Sequence, residues 1–208
     1  MKVSFYFDPC CPFCWITSRW LVMVCEQRDL QVAWQPFSLM LKNGDQDATS
    51  DMAKTHQAAH RVNRVMLAAN QQHSTSLIDL YSSFGSANHL DKHKFNNDLI
   101  RRIIELYHLP AELLAAADDH ALDNDLQKII DEAVAVAGDD IGVPTIVFAA
   151  DDGSKSGFFG PVLQSMPSVK DGLQLWDSLS QLASDKNFYE LKRSRPAGGP
   201  DVASTAEQ

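Results

Sequence analysis

The sequence contains no cysteine beyond residue 25, and its four cysteines are Cys10, Cys11, Cys14 and Cys25. A disulfide scaffold would distribute its cysteines along the chain, so this clustering argues against one and indicates that the thiols act at a single place. The chain has 208 residues, of which 45% are hydrophobic. A core of that size needs neither a disulfide nor a metal to hold it together.

The sequence also lacks long apolar runs. No segment approaches the roughly 18 consecutive apolar residues of a membrane-spanning helix. An export signal is missing as well, because Met1 and Lys2 lead at once into the short aromatic run Val3 to Phe7, which Asp8 and Pro9 end. We therefore expect a protein that acts in the reducing cytoplasm and not at a membrane.

Positive charge is scarce. Lysine and arginine together number 18 against 27 aspartates and glutamates, which gives a formal net charge of -9. Such an acidic surface argues against nucleic acid and anionic membranes as partners, and it suits a protein that acts on small molecules or other proteins. One short basic stretch, residues 192–195, is expected to be a solvated end of the fold.

The first 40 residues predict a strand, a helix and a second strand. Val3 to Phe7 consists mostly of β-branched and aromatic residues, which favour a strand. From Pro12 onward the apolar residues recur at helical spacing, and a proline is well tolerated in the first turn of a helix. Gln31 to Leu39 predicts the second strand, in which Pro36 indicates an edge position.

The rest of the chain predicts a helical block followed by a hairpin and one more helix. The expected helices of the block run from Met52 to Gln72, Ser76 to Phe84, Lys92 to Leu106, Pro110 to Asp118 and Leu122 to Ala137. Residues 40–50 before the block are polar and predict a loop. The hairpin strands are Pro144 to Ala149 and Gly157 to Phe159, and the last helix covers Lys170 to Ala183.

This order predicts an α/β protein with a thioredoxin-like fold. A large all-helical insertion separates its βαβ half from its C-terminal half of β-hairpin and helix. We expect residues 1–40 and 138–193 to form the thioredoxin-like domain and residues 41–137 to form the inserted helical subdomain. Residues 194–208, which are mostly proline, glycine and small or polar residues, are expected to be a flexible tail.

The motif Cys11-Pro12-Phe13-Cys14 places two thiols at the predicted helix start. Disulfide exchange requires a thiolate that attacks and a second thiol that resolves the mixed disulfide. Unpaired backbone N–H groups and the helix dipole favour the anion of the first sulfur, and the pKa of such a cysteine falls from about 8.5 to between roughly 3.5 and 7.5. Cys11 is therefore the candidate nucleophile and Cys14 the candidate resolving thiol.

A structural zinc site is the alternative for the same two cysteines. Zinc needs four ligands, usually from a second pair of Cys or His, and the sequence has no second C-x-x-C. Two histidine pairs with helical spacing, His56 with His60 and His89 with His93, lack the glutamate of an H-E-x-x-H motif. We expect these histidines at the surface and predict no metal site.

Three stretches resemble the DsbA-like branch of the thioredoxin superfamily. They are Phe7 to Trp15, the step Val143-Pro144-Thr145, and Phe158 to Val162. In that superfamily a cis-proline faces the cysteine pair, so the resemblance implies a cis bond between Val143 and Pro144 and a backbone free to pair with an extended substrate. On the residues alone an ordinary edge-strand or loop proline stays the alternative, since only about 5–6% of X-Pro bonds are cis.

Four further stretches are similar to the actinobacterial mycothiol-dependent reductases, the cytosolic mycothiol-dependent nitroreductases. They are Cys14 to Trp20, Gly160 to Leu163, Leu175 to Asp177 and Phe188 to Arg193. The similarity implies a reductase that binds no cofactor tightly, is recharged by the low-molecular-weight thiol mycothiol, and reduces some nitro-compounds. A mycoredoxin as partner, a small-molecule or a protein disulfide as substrate, and a homodimer as oligomeric state all stay open.

The resemblance also implies roles for individual residues, with Cys11 and Cys14 as the catalytic pair. Substrate contacts are expected from the residues around this pair and before the hairpin: Pro12, Phe13, Trp15, Val143 and Pro144. The chain departs from the family pattern at three points. Phe13 stands where we expect Trp, Cys10 adds a third thiol, and Val143 replaces the Thr expected before the proline.

Two other functions stay open. The same branch contains 2-hydroxychromene-2-carboxylate isomerases and kappa-class glutathione transferases, which usually carry one Ser or Cys for glutathione, so an enzyme that uses Cys11 alone is one alternative. Retention of Cys14 argues against it. The other alternative is a redox-sensing or zinc-binding module without turnover.

Overall fold

The computed structural model of the protein describes residues 2–44 and 49–206. Within them one four-stranded sheet is formed by Lys2–Phe7 (β1), Val32–Pro36 (β2), Thr145–Ala149 (β3) and Lys155–Phe159 (β4). The strands lie in the order β2-β1-β3-β4. β1 pairs in parallel with β2 and antiparallel with β3, and β3 and β4 form an antiparallel hairpin.

Seven α-helices accompany the sheet within the described residues. They are Pro12–Arg28 (α1), Leu39–Asn43 (α2), Asp51–His73 (α3), Leu77–His89 (α4), Asn97–Leu106 (α5), Asp123–Ala137 (α6) and Val169–Ala183 (α7). Three 3-10 segments cover Ala111–Asp118, His120–Leu122 and Val202–Thr205. Within residues 2–44 and 49–206, no helix combines the length and the apolar character that crossing a membrane requires.

The predicted α/β fold with a large helical insertion is confirmed. Helices α3 to α6 lie between β2 and β3 in the chain, and the strands on either side of them meet in one sheet. β2 is an edge strand, as Pro36 predicts. The division into residues 1–40 with 138–193 and residues 41–137 stays a prediction, because one hydrophobic core contains side chains from both parts.

Three predicted elements differ from the structure in detail. The helix predicted from Lys92 is α5, which begins only after Asn96, whose side chain accepts an N–H of the first turn. The helix predicted over residues 110–118 is a 3-10 segment. The loop predicted at residues 40–50 begins within the short helix α2, and residues 45–48 of it lie outside the described part of the chain.

Helix α1 is held firmly by its neighbours. Trp20 is fully buried, and its indole N–H donates to the Gly172 carbonyl of α7 at 2.9 Å. A Cβ at Gly172 would lie 2.5 Å from Met23 and 3.1 Å from Trp20, so only glycine lets the two helices approach this closely. Phe5 and Phe7 of the interior strand β1 are also fully buried. The helix that begins at the cysteine motif is therefore part of the rigid core.

The end of the chain differs from the flexible tail predicted for residues 194–208. Val202–Thr205 is a 3-10 segment, and Thr205 is 6% exposed. Its hydroxyl accepts a hydrogen bond from the indole N–H of Trp15 at 2.8 Å. Composition alone predicts disorder here because few side chains are apolar, but this segment is held by polar contacts with the buried start of α1. Residues 207–208 lie outside the described part.

Candidate active site

Cys11 and Cys14 meet at the N-terminus of α1. Cys11 is the N-cap residue with extended backbone, Pro12 is the first helical residue, and the Cys14 N–H donates to the Cys11 sulfur at 3.4 Å. Cys11 is partly exposed, whereas Cys14 is fully buried. The two predicted catalytic thiols are therefore adjacent, with one open to a substrate and the other behind it.

The same geometry shifts the two thiol pKa values in opposite directions. The pKa of Cys11 is lowered mainly by a hydrogen bond from the Cys14 thiol, with the backbone N–H groups of Cys14 and Phe13 adding to it against the effect of burial. The pKa of Cys14 is raised well above its ordinary value, first by burial and then by its neighbour Cys11. Cys11 is thus the better nucleophile of the pair.

The loop before β3 brings Val143 to the cysteine pair. The Cys11 thiol donates to the Val143 carbonyl at 3.6 Å, although 132 residues separate them in sequence. The Val143–Pro144 peptide bond is cis, as is Gly160–Pro161. The Thr145 hydroxyl donates to the Gly142 carbonyl at 2.7 Å, which stabilises this loop. The loop before β3 and the start of α1 therefore both border Cys11.

The two predicted aromatic substrate contacts differ in position. Phe13 is partly exposed, and the guanidinium of Arg195 lies 4.9 Å from its ring centroid. Trp15 is only 3% exposed, with His89 stacked on it at 5.7 Å and its indole N–H bonded to Thr205. The ring of Trp15 thus packs into the interior, and its contact with substrate stays a prediction.

Asp8 is a buried carboxylate beside the thiols that sequence reasoning missed. It is fully buried and accepts hydrogen bonds from the N–H groups of Cys10 and Leu39, each at 2.9 Å, and from the Asn63 amide at 3.4 Å. Burial raises the pKa of this carboxyl group, and these donors oppose the shift. The only signal in the sequence is its place before Pro9, which indicates no more than the end of a strand.

Cys10 is the third thiol of the cluster. Burial and the charge of Asp8 raise its pKa well above the ordinary value, and its side chain packs against the hydrophobic core. A thiol with a raised pKa is a weak nucleophile at neutral pH. The structure therefore favours a packing role for Cys10 over a second reactive site.

Comparison with known proteins decides the family. A family model described as Rv2466c-like, mycothiol-dependent nitroreductase Rv2466c, matches residues 10–193. The chain belongs to this family. Membership of this family indicates an oxidoreductase-type enzyme and confirms the predicted similarity to the mycothiol-dependent nitroreductases. The fold agrees with the DsbA-like resemblance.

The chain is also similar to individual proteins. It is 29% identical over 208 residues to the uncharacterized protein Rv2286c of Mycobacterium tuberculosis (strain ATCC 25618 / H37Rv), which covers 99% of this chain and 86% of that protein. The cytosolic disulfide reductase DsbM from Pseudomonas aeruginosa matches with a TM-score of 0.60 at 14% identity, over 88% of this chain and 100% of that one. A 2-hydroxychromene-2-carboxylate isomerase matches with a TM-score of 0.54 at 14% identity, over 88% and 96%. At such identities the two solved structures support the fold alone.

Two of the histidines expected at the surface are buried. His60 is 1% exposed, with Nδ1 2.8 Å from the Ser38 hydroxyl and Nε2 2.9 Å from an Asp123 carboxylate oxygen. His89 is 6% exposed, and its Nε2 donates to the Pro9 carbonyl at 2.9 Å. The lack of further metal ligands near them predicts a surface position, but their partners lie far away in sequence. Within residues 2–44 and 49–206, no group of three or more His, Cys, Asp or Glu side chains is placed to hold a metal ion.

Proposed function

We propose that this protein is a thiol–disulfide reductase in which Cys11 attacks and Cys14 resolves. The observation that carries the proposal is the asymmetry of the pair. Cys11 is partly exposed with a lowered pKa, whereas Cys14 is fully buried with a raised pKa and donates its N–H to the Cys11 sulfur at 3.4 Å. An accessible thiolate in front of a protected thiol suits a two-step exchange.

The reaction begins when the Cys11 thiolate attacks one sulfur of a substrate disulfide, R–S–S–R. A bond forms between Cys11 and that sulfur, and the other half leaves as a thiolate, which takes up a proton. Cys14 then loses its proton and attacks the Cys11 sulfur, which releases the second half as a thiolate and closes the Cys11–Cys14 disulfide. This half takes up a proton as well, so the substrate gains two electrons and two protons. The cysteine pair supplies both electrons and the Cys14 proton, and the solvent returns the proton that Cys11 released on becoming a thiolate.

Mycothiol is the proposed donor that restores the dithiol, in agreement with the description of the family. Two mycothiol molecules reduce the Cys11–Cys14 disulfide and leave as mycothiol disulfide, directly or with a mycoredoxin. The same dithiol would reduce a nitro group to a nitroso group and water while it becomes a disulfide. The proposed compartment is the reducing cytoplasm, where thiol donors keep such a pair reduced.

The test is multiple turnover of a small mixed disulfide with mycothiol, glutathione or a thioredoxin as the donor. We expect turnover with mycothiol, complete loss in Cys11→Ser, and loss of multiple turnover with an accumulated Cys11 mixed disulfide in Cys14→Ser. Cys25→Ser is the matched control, because this partly buried thiol lies outside the motif and should leave the rate unchanged. Circular dichroism of each variant checks that it folds.

The same variants separate the alternatives. Full multiple turnover by Cys14→Ser would refute the two-thiol reaction and favour an enzyme that uses Cys11 alone, as an isomerase or transferase does. Stoichiometric zinc in protein purified without added metal, lost on Cys11→Ser, would favour a metal-binding module instead.

A further inference from the structure

The C-terminal segment, residues 194–206, lies against the residues on both sides of Cys14. Arg195 stacks over Phe13, with its guanidinium carbon 4.9 Å from the ring centroid, and the Thr205 hydroxyl accepts the indole N–H of Trp15 at 2.8 Å. The family match ends at residue 193. The contacts made by this segment with the active site are therefore a feature of this chain beyond the part that defines its family.

Backbone and side-chain hydrogen bonds fix the path of the segment. The Asp201 N–H donates to the Gln164 carbonyl at 2.7 Å, and the Gln164 amide donates to the Gly199 carbonyl at 2.9 Å. The Ser204 hydroxyl accepts the Met166 N–H at 2.9 Å. The loop that contains Gln164 and Met166 thus holds residues 199–204 in place. Arg195 lies a few residues earlier in the same segment, next to the cysteine motif.

The stacking leaves Arg195 able to bind an anion. A guanidinium that lies over an aromatic ring uses its face for that contact, so the N–H groups in its plane stay free to donate to a carboxylate in a two-pronged hydrogen bond. Arg195 is exposed, and among the described residues it forms no ion pair with an Asp or Glu. Lys192 and Arg193 precede it in the sequence of a protein with net charge -9.

We propose that Arg195, held by the C-terminal segment, binds a carboxylate of the substrate and makes the enzyme selective for small anionic disulfides. This inference rests on the proposed function, because it names the substrate class of the same dithiol. When Cys11 attacks such a disulfide, the half that stays bound to Cys11 keeps its carboxylate on Arg195. The other half leaves as a thiolate, and Arg195 itself gains or loses no proton.

The test measures single-turnover oxidation of the reduced enzyme by three small disulfides of different charge. They are 3,3′-dithiodipropionate with two carboxylates, neutral bis(2-hydroxyethyl) disulfide, and cationic cystamine. The readout is the rate of formation of the Cys11–Cys14 disulfide, followed by thiol alkylation and mass, so no recharging thiol is needed. We expect Arg195→Gln to slow the reaction of the anionic disulfide about tenfold, the value of one charge-assisted hydrogen bond.

Arg195→Gln should change the rate for the neutral disulfide less than about twofold, since that substrate has no carboxylate to bind. Thr205→Val keeps the cation but removes the bond to Trp15, so it should also reduce the preference for the anionic disulfide. Lys155→Gln is the matched control: Lys155 is an exposed cation at the start of β4 that pairs with Ala149, away from the cysteine motif. It should leave the preference unchanged.

The outcomes separate this inference from the proposed function. If no disulfide oxidises the wild-type dithiol, the proposed function is wrong. If all three oxidise it and Arg195→Gln leaves the ratio of anionic to cationic rates unchanged, the proposed function stands and the role of Arg195 is refuted. An equal loss in Lys155→Gln would also refute that role, because it would show an effect of total charge alone.

Discussion

Acidification below pH 6.5 should destabilise this protein through His89. The side chain is 6% exposed, its Nε2–H donates to the Pro9 carbonyl at 2.9 Å, and its ring stacks on Trp15 at 5.7 Å. Burial, with a smaller effect from the charge of Lys92, lowers the pKa of His89 from 6.5 to about 4. The folded protein therefore holds a neutral imidazole directly behind the cysteine motif.

The sign and size of the effect follow from linkage between protonation and folding. Above pH 6.5 the imidazole is neutral in both states, so the contribution of His89 to stability is fully present. Between pH 6.5 and about 4 the unfolded chain binds a proton that the folded chain does not, and the free energy of unfolding falls by about 1.4 kcal/mol per pH unit. The total loss is about 3 kcal/mol and is complete once the pH is below the folded pKa.

Urea unfolding at pH 7.5, 6.5, 5.5 and 4.5 measures this effect in the wild type and in His89→Phe. The variant keeps a ring against Trp15 but loses the bond to Pro9, so it should be about 1 kcal/mol less stable at pH 7.5. Its deficit should shrink and then reverse as the pH falls, because it has no proton to bind. His93→Gln, an exposed histidine of the same region, should follow the wild-type profile. A constant difference between His89→Phe and wild type at all four pH values would refute the reasoning.

Two further substitutions test the packing behind the site. Asp123→Ala should lower the free energy of unfolding by about 3–5 kcal/mol, measured in urea. The reason is that Arg64 is 3% exposed and loses both of its 2.6 Å hydrogen bonds to this carboxylate. Asp118→Ala removes an exposed ion pair, so it should cost under about 1 kcal/mol. Equal losses would contradict the difference in burial. Gly85→Ala places a Cβ 2.5 Å from the ring of Trp15, so it should cost about 1–2 kcal/mol and shift the tryptophan fluorescence, since overpacking outweighs the gain of about 1 kcal/mol in helix propensity. An unchanged spectrum with increased stability would show that the ring is free to move.

The features that the sequence predicted correctly depend on residues that are close together in the chain. The helix start at Pro12, the edge strand that ends at Pro36 and the hairpin after Pro144 each depend on residues only a few positions apart. The cysteine motif is local in the same sense, because Cys11 and Cys14 lie within one helical turn. Its approach to Val143 is not local, and only the resemblance to a known superfamily placed that loop beside Cys11.

Contacts between distant residues explain what the sequence did not reveal. His89 bonds to a carbonyl 80 residues away, and Thr205 accepts a bond from Trp15 across 190 residues. A polar side chain is expected at the surface unless a partner satisfies it in the interior, and a single sequence does not show such partners. Asp8 was missed for the same reason, since Leu39 and Asn63 donate to it from other elements.

The charge of Asp8 acts on every thiol of the cluster at the start of α1. Its negative charge raises the pKa values of Cys10, Cys11 and Cys14, so it opposes the stabilisation of the Cys11 thiolate by the helix start. A dithiol becomes a strong oxidant when its reduced, thiolate-bearing form is strongly stabilised. On the proposed function, the buried carboxylate therefore makes the dithiol a weaker oxidant than the helix start alone would. The helix start thus favours the Cys11 thiolate, and the charge of Asp8 opposes it.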